Sequence, residues 1–355
     1  MTTALLAVSA VASAQDRSRD SAASAQSAWA AVQERRFGDA LDAFTRASES
    51  RPNDPTLHLG AGVAAFMLGQ DVTARVSLER ALAIAPNFAE ASRLLGEIHY
   101  RSGRLQDAIA VYEAALAHTP RQPDIEQKLR QWQADAGIRA GSYATPGAHF
   151  SVRFQGPADE MLARRAVDML EAAYWRIGAA LAVYPGDPIS VILYTEEQFR
   201  DVTRSPTWAA AVYDGTIRVP VRGALAHADD LERLLAHELV HALIASVAGR
   251  NVPQWLNEGL AVHFESANAG EGSDDSTATM PLARLERDFG DLSPVEARSA
   301  YARSTAAARR MLRLRGPSAV MALLHDLGRG APFASAFFQR MAMRYEDFVA
   351  LIDRE

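Results

Sequence analysis

The amino-terminal part of the sequence repeats with a period of 34 residues. Five kinds of position recur at this spacing. They are a proline (Pro52, Pro86, Pro120), two alanines (Ala40, Ala74, Ala108; and Ala47, Ala81, Ala115), a large apolar residue (Phe44, Leu78, Tyr112) and a small residue (Ala28, Gly62, Gly96). Small residues allow paired helices to approach, one large residue fills the gap between them, and proline ends the second helix. The period therefore predicts three stacked helix pairs.

This repeating pattern resembles the tetratricopeptide repeat, although other residues such as His58 and Arg93 occupy most of its aromatic signature positions. We expect three repeats and a capping helix over residues 21–136, with the capping helix itself at 124–135. The resemblance implies an all-α solenoid that offers a groove to a protein partner. An array of this kind can equally serve as a spacer or dock onto the neighbouring domain.

The composition limits the chemistry that the chain can perform. Its 355 residues carry 37 Lys+Arg against 43 Asp+Glu, for a formal net charge of -6. This length predicts two or three domains, and an acidic chain is a poor partner for nucleic acid. Cysteine is absent, which excludes disulfides, a thiol nucleophile and cysteine zinc sites. Any metal must therefore bind to His, Asp or Glu.

Residues 1–14 match a signal peptide, because a short apolar stretch ends in Ala-Ser-Ala before Gln15. We therefore predict an exported protein, periplasmic or secreted. A cytoplasmic protein with an apolar amino terminus is the alternative. No other stretch reaches the roughly 18 apolar residues that span a bilayer, so we predict no transmembrane anchor.

A change of pattern near residue 137 predicts a second domain. Residues 137–147 are rich in glycine and small residues and read as a linker. The following region, 148–355, has strand patterns at 149–154 and 189–194, a helix pattern at 159–182 and a hairpin pattern at 209–221. Pro220 indicates that the second arm of this hairpin lies at a sheet edge, because proline cannot donate to a ladder. Beyond Leu225 the pattern is helical, so we predict an α+β domain with a small sheet and a helical half.

The second domain contains the pattern H-E-x-x-H at His237, Glu238 and His241. On a helix, residues four apart share one face, so the two imidazoles can bind one metal ion. Asp229 or Asp230 is expected to cap this helix and Gly249 to end it. Two helix histidines that only make hydrogen bonds would give the same pattern. A second helix after Pro253 carries Glu258, 17 residues beyond His241, which is enough chain to return a carboxylate to the first helix.

The pair of motifs resembles the gluzincin metallopeptidases, the peptidase MA-like superfamily. The string from Trp255 to Ala261 matches their second motif, W-L-x-E-G-x-A. The resemblance implies that the zinc ligands are His237, His241 and Glu258, and that Glu238 is the general base. It covers about residues 148–355 and implies a gluzincin-type fold for the α+β domain.

Other residues near these motifs have weaker sequence support. Tyr301 is a candidate for the catalytic donor that stabilises the oxyanion, or it is an ordinary core tyrosine. Asn257 and Glu265 are candidates for supporting the ligands. We expect His263 and His325 to be structural, and the small, polar residues 266–279 to form a mobile loop that gates the cleft or is a neutral insertion.

The sequence as a whole favours a zinc-dependent metallopeptidase that hydrolyses peptide bonds with a water activated by Glu238. Its partners would be a peptide or protein substrate and a protein bound in the repeat groove. One alternative is a repeat-based scaffold or assembly factor whose metallo-domain has little or no turnover. Another is hydrolysis of a non-peptide amide or ester, which uses the same residues.

Overall fold

The computed structural model describes residues 25–156, 159–203, 211–220, 228–265, 280–286 and 289–354. The predicted signal peptide and the predicted loop at 266–279 lie outside these residues, so export and gating stay predictions. The first helices are α1 (residues 25–33), α2 (Phe37–Ser50), α3 (Pro55–Met67), α4 (Asp71–Ile84), α5 (Ala89–Arg101), α6 (Leu105–His118) and α7 (Pro123–Ala140).

Helices α2 to α7 pack each against the next along the chain, as the 34-residue period predicts. The recurring glycines face the recurring large residues: a Cβ on Gly62 would lie 2.7 Å from the side chain of Leu78, and one on Gly96 would collide with the ring of Tyr112. Leu78 and Tyr112 are buried at these crossings. The large residue of each pair thus fills the space that the glycine leaves, and we call helices α1 to α7 the repeat array.

The predicted linker at residues 137–147 is wrong in its local structure. Helix α7 continues to Ala140, and Tyr143–Pro146 form the edge strand β1. The helix continues because Ile138 packs against a buried cluster around Tyr194 and Phe199. The glycine and small residues that surround Ile138 in the sequence do not indicate this contact. Only a short break at Gly141 and Ser142 separates helix from strand.

A mixed five-stranded sheet follows the repeat array. The remaining strands are β2 (Phe150–Phe154), β3 (Ile189–Tyr194), β4 (Val212–Tyr213) and β5 (Ile217–Pro220), and the order across the sheet is β1-β2-β3-β5-β4. Strands β2, β3 and β5 are parallel, and the two edge strands are antiparallel to their neighbours. Helices α8 (Glu160–Leu181) and α9 (Glu196–Thr203) connect the strands.

The predicted edge position of the second hairpin arm is also wrong. Strand β5 lies inside the sheet, parallel to β3 and antiparallel to the short edge strand β4. Pro220 pairs with Tyr194 on β3, whereas β4 reaches only Ile217 and Arg218. Proline is compatible with this inner strand because, among the described residues, no β4 residue stands opposite it.

The helical half follows the sheet, as predicted. It consists of α10 (Ala228–Ala248), α11 (Gln254–Phe264), a 3-10 turn (Leu282–Glu286), α12 (Pro294–Gly328), α13 (Phe333–Met341) and α14 (Tyr345–Ile352). Gly249 ends α10 with φ +64°, whereas Asp229 and Asp230 lie in its first turn rather than at its cap. Gly316, at φ +75°, breaks α12. Within the described residues, no helix has the length and apolar character needed to cross a membrane.

The repeat array docks on the rest of the chain through the turns between its paired helices. The pairs in contact are Arg35 with Asn251, Gly38 with Gly330, Gly69 with Gly249, Asp71 with Arg250, and Arg101 with Gly215. The guanidinium of Arg250 donates to both carboxylate oxygens of Asp71, at 2.7 and 3.0 Å. A Cβ on Gly69 would lie 2.8 Å from the Cα of Gly249, so the two backbones meet directly.

A buried ion pair joins the capping helix to the sheet. Asp135 on α7 and Arg218 on β5 are both 0% exposed, and their side chains lie 3.3 Å apart. Tyr194 donates its hydroxyl hydrogen to Asp135 at 2.7 Å, and Arg139 donates to the same carboxylate at 3.1 Å. The array is therefore attached to its own chain by charge as well as by close packing.

Gly96→Ala should lower the free energy of unfolding by about 1–3 kcal/mol, because the added methyl group would strike Tyr112 and approach Trp132. The matched control is Gly137→Ala on α7, where nothing lies within 4 Å of the new Cβ. This control should raise stability by about 1 kcal/mol through helix propensity. Urea titrations followed by circular dichroism compare the two variants, and equal midpoints would contradict the packing described here.

The Asp135 carboxyl should make docking sensitive to acid. Burial opposes its ionisation, but Arg218 and Arg139 hold its pKa below the ordinary value. A carboxyl whose pKa is lower in the folded than in the unfolded state stabilises the fold. This stabilisation is complete above the unfolded-state pKa of about 3.9, and it is lost as the pH falls through the folded-state pKa. We expect Asp135→Asn to flatten the fall of stability below about pH 4, measured by thermal melts across pH. A variant that keeps the wild-type acid dependence would contradict this assignment.

Candidate metal centre

The three predicted ligands converge at the contact between α10 and α11. Spacing by four residues puts His237 and His241 on one face of α10, and their ring centroids lie 4.9 Å apart. Glu258 on α11 directs Oε2 at both rings, 3.4 Å from Nε2 of His237 and 3.5 Å from Nε2 of His241. One potential ligand atom from each residue lies within 4.8 Å of the others.

Tight packing of α11 fixes the position of Glu258. A Cβ on the next residue, Gly259, would collide with the backbone of Ser304 on α12, so only glycine allows the two helices to approach this closely. Trp255 is fully buried, and its indole nitrogen donates to the hydroxyl of Tyr345 at 3.1 Å. The second motif thus contains one candidate ligand and two residues that hold its helix in place.

Two side chains orient the candidate ligands through hydrogen bonds. Nδ1 of His237 donates to Glu265 at 2.9 Å, which leaves Nε2 directed at Glu258. Gln254 donates to the second oxygen of Glu258 at 2.8 Å. Glu265 was expected from the sequence, whereas Gln254 was missed. Its signal is the spacing of four residues before Glu258 on the same helix.

Opposite charges stabilise the cluster in its buried position. Burial alone would lower the pKa of His237, but the adjacent carboxylates of Glu258 and Glu265 raise it to about 10. Burial likewise opposes ionisation of Glu258, yet the two imidazoles hold its pKa far below the ordinary value. A cation bound here would replace the imidazole protons, because only a neutral imidazole has a lone pair to offer a metal.

Glu238 stands beside the cluster without being part of it. Its side chain is buried, with 4% of the residue exposed, and its Oε2 has no hydrogen-bond partner among the described residues. Burial raises its pKa, the two histidines oppose this rise, and the negative charges of Glu258 and Asp214 add to it. A buried acceptor beside a candidate metal site is suited to receive a proton from water.

Tyr301 lies near the cluster, whereas Asn257, His263 and His325 make no described contact with it. The ring of Tyr301 is 6.4 Å from that of His237 and meets Phe289 edge-on. His263 packs edge-on against its neighbour Phe264. His325 is exposed on α12, and no described contact joins Asn257 to the cluster.

The donor set fits a zinc ion. Two imidazole nitrogens and one carboxylate oxygen form the ligand set of catalytic zinc sites, which keep a further position for water or substrate. Oε2 of Glu258 is buried without a hydrogen-bond partner among the described residues, although it faces both Nε2 atoms. The hydrogen bond between His237 and Glu265 supplies the supporting carboxylate that metal-binding histidines commonly have.

Comparisons with known proteins concern the repeat array. Two family models of the tetratricopeptide repeat match residues 26–87 and 72–131. The amino-terminal region is therefore a set of tetratricopeptide repeats, followed by a region with a small mixed sheet and further helices. The candidate metal centre lies beyond the last matched residue.

One curated relative is the small glutamine-rich tetratricopeptide repeat-containing protein 2 of Mycosarcoma maydis. It is 27% identical over 123 residues, which is 35% of this chain and 34% of that protein, so the chain spans about a third of the length of this relative. A solved structure, the first tetratricopeptide repeat domain of Spaghetti (RPAP3) bound to an HSP90 peptide, is 18% identical, with a TM-score of 0.32. It covers 34% of this chain and 97% of that chain.

Proposed function

We propose that this protein is a zinc-dependent metallopeptidase in which His237, His241 and Glu258 hold the metal. The observation that carries the proposal is the convergence of their ligand atoms within 4.8 Å beside Glu238, whose buried Oε2 has no hydrogen-bond partner among the described residues. The resemblance to gluzincins in sequence supports the same assignment. The substrate under this proposal is a peptide or protein.

The chain's own residues divide the remaining work of hydrolysis. Zinc, when bound, would supply positive charge that polarises the substrate carbonyl and makes water more acidic. Glu238 then accepts a proton from the attacking water and passes it to the leaving amine. Glu265 keeps His237 in the tautomer whose Nε2 carries the lone pair. Tyr301 is the candidate donor to the developing oxyanion because its ring lies beside His237.

A second candidate function, a repeat-based scaffold or assembly factor, is favoured by the tetratricopeptide repeats at residues 26–131. Repeats of this class bind protein partners. The turns of the array are engaged by the rest of the chain at Gly69, Asp71 and Arg101. A partner would therefore bind to the helix faces of the array, whether it is a substrate or a member of an assembly.

The zinc site predicts one zinc ion per chain after dialysis against trace zinc. Elemental analysis should find that ion in the wild type and lose it in His237→Ala, because the variant removes one of three ligands. The matched control is His325→Ala, which removes an exposed histidine outside the candidate ligand set and should keep the zinc. Equal zinc in all three proteins, or zinc in none, would contradict the site.

Glu238→Gln should abolish turnover and leave zinc binding intact, because glutamine keeps the shape of the side chain but cannot accept the proton. We expect kcat to fall by about 10²- to 10⁴-fold, measured with a quenched-fluorescent peptide library and with small amide and ester substrates. Glu232→Gln, at an exposed position on the same helix, is the matched control and should keep full activity.

The same assay separates the candidate functions. Cleavage of small amides or esters without cleavage of peptides would favour the non-peptide hydrolase. Glu238→Gln with full activity would overturn the assigned mechanism. A zinc-loaded wild type that cleaves none of these substrates would favour the scaffold.

A further inference from the structure

Arg218 is the central residue of a buried network that the proposed reaction does not use. Its guanidinium has no exposed surface although it lies on a strand next to the sheet edge. It donates from Nε to Asp214 at 3.1 Å and from Nη1 to the hydroxyl of Tyr194, and it pairs with Asp135 at 3.3 Å. A charge this deeply buried is stable only when such partners surround it.

These partners belong to both parts of the chain. Asp214 is at the turn between β4 and β5, and Tyr194 ends β3. Asp135 belongs to the capping helix of the repeat array, and Tyr100 of α5 lies under the guanidinium, with its ring centroid 5.2 Å away. The array thus contributes one of the two carboxylates that neutralise Arg218.

The hairpin that Arg218 holds is next to the candidate metal centre. Strands β4 and β5 both pack against α10, the helix that carries His237, Glu238 and His241. On its other side, the turn at Gly215 rests on the backbone of Arg101, where any Cβ would collide. The turn is therefore held between the repeat array and the candidate site.

We propose that Asp135 and Arg218 are positioning residues, through which the docked repeat array fixes the β4–β5 hairpin against the helix that carries the candidate site. The chain of contacts runs from Asp135 to Arg218, from Arg218 to Asp214, and from the hairpin to α10. The repeats then act on catalysis from within the chain, in addition to any partner that they bind. The catalytic consequence rests on the proposed function, whereas the mechanical link does not.

The network differs from the other charged contact between the two parts of the chain. Asp71 and Arg250 also join the array to the helical half through two hydrogen bonds. Arg250 lies beyond the end of α10. The charges of Arg250 and Asp71 both act on Tyr213 of β4, but neither residue is a partner of Arg218. Loss of the Asp71–Arg250 pair weakens one contact between the array and the helical half without removing a partner of Arg218. A variant that breaks this pair is therefore a matched control.

The experiment compares Asp135→Asn, Tyr194→Phe and the control Asp71→Asn in the full chain. Hydrogen exchange followed by mass spectrometry reports on amides of residues 212–219, and steady-state assays report kcat and KM on the peptide library. Asp135→Asn should speed hairpin exchange about tenfold. It should lower kcat by about 10- to 100-fold, with KM and zinc content unchanged. Asp71→Asn should change hairpin exchange much less than Asp135→Asn, because it removes no partner of Arg218.

Tyr194→Phe keeps the packing of the ring and removes only one hydroxyl of the network, so it tests the proposal even if Asp135→Asn does not fold. It should change hairpin exchange in the same direction by a smaller factor. Wild-type hairpin exchange in the network variants, or equal effects in Asp71→Asn, would overturn the proposal. If the wild type cleaves no substrate, the exchange rates still test whether Asp135 and Arg218 hold the hairpin in place. Failure of this positioning role is therefore distinguishable from failure of the proposed function.

Discussion

A guanidinium without access to water must be paired, and Arg218 is paired only with help from both parts of the chain. Removing one partner of such a buried charge typically costs about 3–5 kcal/mol. The repeat array and the sheet are thus joined by a strict electrostatic requirement, which apolar packing alone would not impose. The position of the β4–β5 hairpin, and with it one side of α10, depends on this pairing.

The candidate metal centre depends on helix packing in a different way. One turn of α10 is enough to align the two imidazoles, but Glu258 reaches them only because α11 lies tightly against α12 at Gly259. Trp255 anchors the same helix from its other end by contacting Tyr345. The geometry of the site is therefore determined by a large hydrophobic core, and residues outside the site contribute to its precision.

The sequence predicted those features that rest on local periodicity. The period of 34 residues located the helix pairs, and helical spacing put His237 and His241 on one face. Contacts between distant segments could not be predicted in this way: α7 extends to Ala140 because Ile138 meets the sheet, and β5 lies inside the sheet despite Pro220. Gln254 lies four residues before Glu258, a spacing that favours contact on a helix, but no motif includes it. The contacts through which the array docks have no sequence signature.

The glycines at the docked turns restrict how this protein can evolve. Gly69 and Gly215 each lie against the backbone of the opposite part of the chain, where no side chain would fit. A recombination event that exchanged these repeats for those of another protein would bring in bulkier turns and would leave Arg218 without Asp135. The two parts are therefore expected to be inherited together, and a chimaera would need the turn residues and Asp135 transplanted along with the repeats.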